Sequence, residues 1–363
     1  MKKSLFIAAL ATVALASCSN DEVLEMKQDQ IKFTAVTGKA SRGTEVTASS
    51  LESFNVWGWV EQTGTGNADY ETLYFSDVEF KKNEDNNLFE STTNYWWPTG
   101  AMKFYATNLN LDIEEGSVTY TVNNVVASQE DFLYAAKYGV TKPGDGGVAD
   151  LNFRHALSQI EFNVGLEEVT NNDELPLEVV ITSIKVNNLD GSAEFTMPAG
   201  STNPYYNDDP YKKDGTLVPT ENDNSWGRWS NNDDADVSYT ITKSETIRNG
   251  HFTDETGDDE GDDKVTTDFV AYGGTDNERM FLIPQSLEGS SIVVNCDIYA
   301  KGENKVKVHT GELTYNFANE AEWKQGMKYV YNLKFGVTSL QEIKFSVTVD
   351  KYQTATGAPI EVE

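Results

Sequence analysis

The side chains that most often carry acid–base or metal chemistry are sparse in this sequence. Its three histidines, His155, His251 and His309, are far apart and do not follow a zinc-ligand spacing. The sequence has no Gly-x-Ser-x-Gly, no phosphate-binding glycine loop and no His-Glu-x-x-His motif. A glycosidase pair could hide among the 58 acidic residues, but the sequence does not give their separation. We therefore expect no enzyme and no cofactor, and a structural hydrogen-bonding role for His155.

Two features could bind a ligand, and each has a structural alternative. The acidic stretch Asp254–Asp263 offers oxygen ligands for calcium, although it lacks the residue order of an EF-hand and also fits a solvated loop. Trp57, Trp59, Trp96 and Trp97 could stack on a sugar, but they lie in or beside alternating segments, which favours core positions. We expect no bound metal ion.

Composition and charge limit the partners. The chain has 363 residues and a formal charge of −30, and 39% of its residues are hydrophobic. Phosphate binding requires clustered Lys and Arg, so this charge argues against a nucleic-acid-binding protein. It would also repel an anionic membrane surface. The apolar fraction is sufficient for packed cores, and the length suggests two domains.

The N-terminus has the features of an export signal. Met1–Lys3 is positively charged, and Leu5–Leu15 is an apolar run too short to span a bilayer. The run ends in Leu15-Ala16-Ser17-Cys18, which resembles the lipobox of bacterial lipoproteins. The resemblance implies that residues 1–17 are a signal peptide and that the Cys18 thiol carries diacylglycerol, with palmitate as a fatty acid. An ordinary secretory signal with a chance cysteine is the alternative.

Strand patterns dominate the rest of the chain. Apolar and polar residues alternate with a period of two in many short segments separated by turn residues, which is typical of β-strands. Without a long helical pattern, the series favours an all-β fold of β-sandwiches, and one or two short helices could lie near Ser128–Lys137. The alternating segments are Ile31–Ala35, Phe54–Val60, Leu73–Phe80, Met102–Ala106, Val118–Val122, Leu151–Phe153, Ile160–Val164, Leu177–Val186, Val237–Ile241, Met280–Ile283, Ser291–Tyr299, Lys305–Phe317, Tyr329–Phe335 and Ile343–Val349.

Turn-rich stretches suggest the domain organisation. The polar stretch Asn171–Pro176 is a candidate linker. We therefore predict a polar tether over residues 18–30, an N-terminal sandwich over residues 31–170 and a C-terminal sandwich over residues 171–363. A long surface loop is expected at Thr202–Asp236, which is rich in Asn, Asp, Pro and Tyr.

Several motifs, taken in order, resemble those of the fimbrillin family of Bacteroides-type bacteria. They are Tyr95-Trp96-Trp97-Pro98, Met102–Ala106, Leu151–Ile160, Met280–Gln285 and Trp323–Tyr331, spread over nearly the whole chain. The resemblance implies two transthyretin-like β-sandwich domains with Greek-key-type connections. It also implies export as an outer-membrane lipoprotein, proteolytic trimming after an arginine, and polymerisation into a surface pilus by strand exchange.

A candidate trimming site lies close to the N-terminus. Arg42 is the first arginine of the sequence, and the next is Arg154. It lies in Lys39–Thr44, a small and polar stretch that suits an exposed, protease-accessible loop. By the resemblance, cleavage between Arg42 and Gly43 would release everything from Cys18 to Arg42, including the lipid. A bystander arginine in a turn is the alternative.

Two alternating segments near opposite ends of the chain match in pattern. Ile31–Val36 lies in the piece that trimming would release, and Ile343–Val349 lies near the C-terminus; both begin with Ile-Lys-Phe. A groove emptied of the first could accept the second from a neighbouring subunit in the same register, as in β-strand addition. The apolar faces would be Ile31, Phe33 and Ala35 in the released strand, and Ile343, Phe345, Val347 and Val349 in the donor strand.

We predict that the donor strand lies within residues 340–363, and two segments there are candidates for it. Ile343–Val349 could instead complete its own C-terminal sandwich. In that case Gly357–Glu363, with Ile360 and Val362 on one face, is the second candidate donor.

Two hypotheses for function follow, one structural and one in binding. In the first, the protein is a subunit of a fimbria at the cell surface that contributes to adhesion. Its partners are copies of itself or related subunits, and its lipid attaches it to the membrane before trimming. In the second, it is a lipid-anchored adhesin, or a pilus anchor or tip protein, that binds a host glycan or protein. An N-terminus at Gly43 would favour the first hypothesis, and a lipidated Cys18 would favour the second.

Overall fold

Strands make up nearly all of the regular structure in the described part of the chain. The structure is a computed structural model that describes residues 29–37, 51–61, 72–144, 146–167, 177–198, 227–230, 236–248, 269–272, 278–301, 305–336, 343–351 and 360–361. For residues 36, 37, 301, 343–351, 360 and 361 it describes the backbone alone. Cys18, Arg42, Gly43, His251 and Asp254–Asp263 lie outside the described residues.

The strands are numbered in chain order, and one 3₁₀ turn, Val126–Ser128, lies between β6 and β7. They are β1 (Lys32–Thr37), β2 (Ser53–Val60), β3 (Thr72–Lys82), β4 (Phe89–Ser91), β5 (Met102–Thr107), β6 (Ser117–Thr121), β7 (Leu133–Val140), β8 (Val148–His155), β9 (Ser158–Leu166), β10 (Leu177–Leu189), β11 (Ser192–Thr196), β12 (Arg228–Trp229), β13 (Val237–Arg248), β14 (Val270–Tyr272), β15 (Met280–Leu282), β16 (Ser291–Lys301), β17 (Lys305–Asn316), β18 (Met327–Phe335), β19 (Ile343–Lys351) and β20 (Ile360–Glu361).

The N-terminal strands form a closed seven-stranded sheet in the order β1-β4-β3-β2-β5-β7-β8, in which β8 pairs back to β1. Because side chains alternate between the two faces of a strand, one set of alternate apolar positions in these strands turns to the inside of the sheet. Four phenylalanines at the centre of this core, Phe33, Phe54, Phe80 and Phe104, are 0% exposed. The first strand of the chain therefore contributes to the middle of this core.

The remaining strands form three sheets. One has the order β13-β10-β16-β17, a small one has the order β12-β11-β6, and the third has the order β14-β9-β18-β19-β20 with β15 also on β9. Their apolar faces share a second hydrophobic core, which includes the fully buried Ile184, Val294 and Leu333. The strand β10 is central because it pairs along its length with both β13 and β16.

The structure confirms a nearly all-β chain, whereas the transthyretin-like two-domain arrangement stays a prediction. Pairing also links strands across the boundary expected at residue 171, since β9 runs parallel to β18 with Ile160 opposite Tyr329. Parallel pairing joins residues far apart in sequence, so no local pattern could have indicated it. The domain limits at 31–170 and 171–363 therefore stay a prediction.

One or two short helices could lie near Ser128–Lys137, and the structure has one short 3₁₀ turn there, which ends at Ser128. The rest of the stretch leads into β7, which begins at Leu133 with four consecutive buried residues. A strand buried on both faces loses the polar–apolar alternation that identifies it in a sequence, which explains why β7 was not predicted. Within the described ranges, the structure contains no helix with the length and apolarity needed to cross a lipid bilayer.

Candidate functional site

The strand β1 is held on both edges. It runs parallel to β8 over six positions, from Lys32 opposite Val148 to Thr37 opposite Phe153. On its other edge it is antiparallel to β4, with Phe33 opposite Phe89. Ahead of the strand, the Ile31 amide donates to the Tyr95 carbonyl at 2.8 Å and Gln30 bridges to Trp96. We call the space that residues 29–37 fill between β4 and β8 the β1 groove.

The inner face of β1 fills the centre of the closed sheet. Phe33 is 0% exposed, and its ring centroid lies 4.9 Å from that of Phe80 and 5.1 Å from that of Phe104. Ile31 is 2% exposed, and the partly buried Ala35 packs against the same core. These edge-to-face contacts add to the apolar area that is buried. The structure thus places all three predicted inner-face residues of the strand in one groove.

The outer face of β1 carries an ion pair. The Lys32 Nζ donates to Glu90 Oε1 at 2.6 Å, and the two side chains are 26% and 29% exposed. The Glu90 carboxylate also accepts from Asn83 Nδ2 at 3.2 Å and from Asn86 Nδ2 at 3.1 Å. The hydrogen bond from Lys32 is the largest cause that lowers the pKa of Glu90. Glu90 is therefore an ionised, pre-oriented acceptor at the rim of the β1 groove.

A glycine allows the start of β1 to approach β8 closely. Gly147 has φ +79, and a Cβ on it would lie 2.6 Å from the backbone oxygen of Gln30. Its carbonyl accepts from the Lys32 amide at 3.3 Å and from Trp97 Nε1 at 2.7 Å. A residue with a side chain would be strained at this φ and would push the strand outward.

The predicted donor strand lies in a different sheet from β1. Its backbone, β19, is antiparallel to β18 over nine positions, from Met327 opposite Lys351 to Phe335 opposite Ile343. On its other edge, within the described residues, β20 pairs with Thr348 and Val349. The predicted apolar positions Ile343, Phe345, Val347 and Val349 are opposite the buried Phe335, Leu333, Tyr331 and Tyr329.

The released strand and the donor strand therefore belong to different sheets. In this structure β19 completes the sheet of its own chain, which is one of the alternatives that the sequence left open. The strand β20, which contains Ile360 of the second candidate donor, pairs with β19. Neither candidate pairs with β4 or β8 of its own chain within the described residues.

The other sequence candidates are dispersed. Trp57 and Trp97 are buried, Trp96 is 38% exposed, and the amine of Lys103 lies 4.3 Å from the ring centroid of Trp59. His155 is buried, with Nδ1 2.8 Å from Asp131, so it has the hydrogen-bonding role that was expected. In the ranges that the structure describes, no three His, Cys, Asp or Glu side chains are grouped in a way that could hold a metal ion.

Sequence reasoning missed the polar half of the β1 groove. It followed the apolar positions of the Ile-Lys-Phe motifs and gave no role to Lys32 or to Glu90. One signal was present, since the turn-rich stretch Asn83–Asn87 ends three residues before Glu90, and Asn87 has φ 58 in the structure. Its partner could not be identified, because the hydrogen bond joins residues 58 apart in the sequence.

Comparisons with solved structures found proteins that are similar over most of their length. A crystal structure of a fimbrial protein from Bacteroides vulgatus is similar with a TM-score of 0.56 at 14% identity, covering 89% of this chain and 99% of that chain. A candidate cell adhesion protein from Bacteroides uniformis has a TM-score of 0.48 at 11% identity, covering 89% and 98%. A fimbrial assembly protein from Parabacteroides distasonis has a TM-score of 0.44 at 10% identity, covering 92% and 98%.

The sequence comparisons give the family. No curated protein sequence matches this chain significantly. A profile described as fimbrillin-like matches residues 39–351, which is most of the chain and begins just after β1. The chain belongs to the fimbrillin-like family.

Proposed function

We propose that the protein is a structural subunit of a surface pilus and that its assembly begins with removal of β1. The observation that carries this proposal is the position of Phe33, which is 0% exposed at the centre of the closed sheet yet lies upstream of the predicted trimming site. A strand that is both central and removable is what strand exchange requires. Membership of the fimbrillin-like family and similarity to a fimbrial protein support this structural, non-enzymatic role in adhesion.

Trimming after Arg42 would cut the connection between β1 and β2. The strand β1 ends at Thr37 and β2 begins at Ser53, so Arg42 and Gly43 lie between them in sequence. After cleavage, the piece that starts at Cys18 would stay in place through non-covalent contacts alone. The cut therefore turns a permanent strand into one that another strand can replace.

Departure of β1 would leave an energetically unfavourable groove. The backbone of β8 would lose its six pairings with β1, and unpaired backbone groups at a sheet edge favour the addition of a new strand. The cavity left by Ile31 and Phe33 would expose the rings of Phe80 and Phe104. Refilling it with two apolar side chains is worth about 1.5–3 kcal/mol for each. A neighbour that supplies such a strand would restore both kinds of contact.

We propose β19 of a neighbouring copy, or of a related subunit, as the replacement strand. Its Ile343, Phe345 and Val347 would take the positions of Ile31, Phe33 and Ala35, and Val349 would continue the inner face. Its position in the chain supports the proposal: β19 is followed in its sheet only by the two-residue β20, so the two strands can detach from β18 together without opening the sheet at its centre. The tail Ile360–Val362 is the alternative donor.

The lipid would determine where this happens. Lipidation at Cys18, with palmitate among its fatty acids, would attach the precursor to the outer membrane as a lipoprotein. Trimming would then separate the folded body from its anchor, so that the subunit is retained at the surface through its neighbours in the fimbria. A protein that is never trimmed would instead be an anchor or a lipid-anchored adhesin.

The decisive experiment compares Arg42→Ala with the wild type and with Lys39→Ala, a matched control three residues away. Surface material is sheared from cells, examined by electron microscopy and sequenced from its N-terminus. We expect polymers that start at Gly43 from the wild type and from Lys39→Ala, and no polymers from Arg42→Ala. Polymers of normal length from Arg42→Ala would disprove trimming there. A wild-type chain that stays lipidated at Cys18 would favour the anchored adhesin.

A further inference from the structure

We infer that Glu90 sets the register of strand exchange by binding Lys344 of a second copy of this chain. This inference rests on the proposed function and extends it from the apolar face of the strand to its outer face. The ion pair of Lys32 with Glu90 in the precursor is the template, because Lys344 follows Ile343 as Lys32 follows Ile31.

The geometry of β1 and β4 defines the contact. The two strands are antiparallel with Phe33 opposite Phe89, so Lys32 is directly opposite Glu90, and their charged atoms are 2.6 Å apart. A donor strand that runs in the direction of β1 and places Phe345 opposite Phe89 therefore places Lys344 opposite Glu90. The apolar and the charged contacts then form in one register.

The acceptor carboxylate stays in position after β1 has left. Asn83 and Asn86, which donate to Glu90 at 3.2 and 3.1 Å, belong to the turn between β3 and β4. That turn lies downstream of Arg42 and is retained. Loss of Lys32 leaves a carboxylate that is already oriented and lacks its cation, which is the arrangement that favours binding of another lysine.

The apolar face of the donor does not exclude every other register. Ile343, Phe345, Val347 and Val349 are all apolar, and side chains alternate with a period of two, so a shift that moves Phe345 to the position of Ile31 keeps an apolar face inward. The opposite shift brings the polar Gln341 to that position. The outer face does distinguish the registers. A shift in one direction places Glu342 opposite Glu90, and a shift in the other places Ser346 there. Like charges directly opposite each other are destabilising, and a serine provides no cation.

The same criterion separates the two candidate donors. If Ile360 and Val362 occupied the positions of Ile31 and Phe33, Glu361 would lie directly opposite Glu90. That pair repels, whereas Lys344 attracts. The charge on the outer face therefore favours β19 over the C-terminal tail.

In its own chain, Lys344 has a less favourable neighbour. The register of β19 on β18 places Lys344 directly opposite Lys334. Moving the strand to a neighbour exchanges a like-charged opposite residue for an oppositely charged one. This difference favours release of β19 from its own chain as well as capture by the next.

The test reverses the charges one at a time in the full chain. The first variant carries Glu90→Lys together with Lys32→Glu, so that β1 keeps an oppositely charged partner until trimming removes it. The second variant carries Lys344→Glu. The matched control is Glu79→Lys, which makes the same charge change on a 48% exposed glutamate of β3. Growth of polymer after trimming is followed by light scattering and by electron microscopy.

We expect each variant alone to polymerise roughly tenfold more slowly than the wild type and the control, because an attraction becomes a repulsion. An equal mixture of the two variants should grow several-fold faster than either variant alone and yield alternating copolymers, since each donor then meets an acceptor of opposite charge. A mixture that grows no faster than its components, or single variants that grow at the wild-type rate, would overturn the inference. Wild-type chains that do not polymerise after trimming would overturn the proposed function itself.

Discussion

The strands β1 and β19 share the sequence Ile-Lys-Phe but differ in how the chain holds them. The first lies between β8 and β4, with Phe33 0% exposed and Lys32 bound to Glu90. The second has β18 along one edge and, within the described residues, β20 on the other edge at Thr348 and Val349 alone. Two nearly identical apolar patterns thus occupy a central and a peripheral position in different sheets.

This difference shows that the apolar pattern specifies that a segment forms a strand, but not which sheet and which partner strands it joins. Inner-face residues of β1 and β19 are interchangeable in polarity and spacing, so they fit either sheet. Cross-strand neighbours on the outer face differ, because Lys32 is opposite Glu90 and Lys344 is opposite Lys334. We conclude that polar cross-strand partners, which contribute little to stability, distinguish two positions that the apolar pattern alone does not distinguish.

The largest expected effect is a change in stability that differs between the untrimmed precursor, which contains the released strand, and the polymer, which does not. Phe33→Ala should lower the free energy of unfolding of the untrimmed precursor by about 3–5 kcal/mol, because it empties a fully buried ring site. The polymer of trimmed chains should be unaffected, since residue 33 has left. Urea unfolding monitored by tryptophan fluorescence measures both forms.

Phe104→Ala is the control for this prediction. Its ring is also 0% exposed and touches that of Phe33, but it belongs to β5 and remains after trimming. It should destabilise the precursor and the polymer alike. If Phe33→Ala weakened the assembled polymer as much as Phe104→Ala does, β1 would still be present there and the comparison of the two strands would fail.

The strands themselves were largely predictable from the sequence, and their partners were not. Alternation predicted Met102–Ala106 and Phe54–Val60, and the strands are Met102–Thr107 and Ser53–Val60. The period of two specifies which side chains share a face, which is why Ile31 and Phe33 were correctly placed on one inner face. It says nothing about the partner strand, so the parallel pairing of β1 with β8 could not be foreseen.

The candidate site was predictable to the same degree. Its apolar half follows from local periodicity, because the period of two alone was sufficient to predict that Phe33 faces inward. Its polar half depends on a cross-strand register in which Phe33 is opposite Phe89, and no local pattern encodes that pair. The trimming site at Arg42 and the lipid site at Cys18 lie outside the described residues, so both stay predictions.

A second prediction concerns the close approach of β1 to Gly147. Gly147→Ala should destabilise the precursor by about 1–3 kcal/mol, because φ is +79 and the new Cβ would lie 2.6 Å from the Gln30 oxygen. Hydrogen exchange of the β1 amides should accelerate accordingly. Gly144→Ala is the matched control, since no atom lies within 4 Å of its added Cβ. Equal exchange rates in the two variants would show that β1 is held elsewhere.

A smaller effect on polymer growth is expected from a change in β18, the strand with which β19 pairs in its own chain. Lys334→Glu replaces the like-charged residue opposite Lys344 by an oppositely charged one and should stabilise β19 in place by about 0.5–1 kcal/mol. Polymer growth should slow about two- to fivefold, since the donor leaves its own sheet less readily. Lys324→Glu, at the turn before β18, makes the same charge change and should leave growth unaltered. Faster growth of Lys334→Glu would contradict the comparison.

The smallest expected effect is a pH dependence at Glu90. Its pKa is lowered in the folded precursor, chiefly by the hydrogen bond from Lys32, so its contribution to stability is complete above the ordinary glutamate value of about 4.3. That contribution is lost as the pH falls through the lower, folded value. Because both side chains are partly exposed, it should amount to a few tenths of a kcal/mol.

Glu90→Gln measures this contribution by removing the titrating group while keeping an acceptor oxygen. The variant should lose less stability than the wild type between pH 5 and pH 3 in urea unfolding of the precursor. The gap between them should shrink in trimmed, unassembled chains, where Lys32 is absent, and should return in the polymer if Lys344 of a neighbour replaces it. A gap that is the same in all three forms would show that the two asparagines, rather than a lysine, determine the ionisation of Glu90.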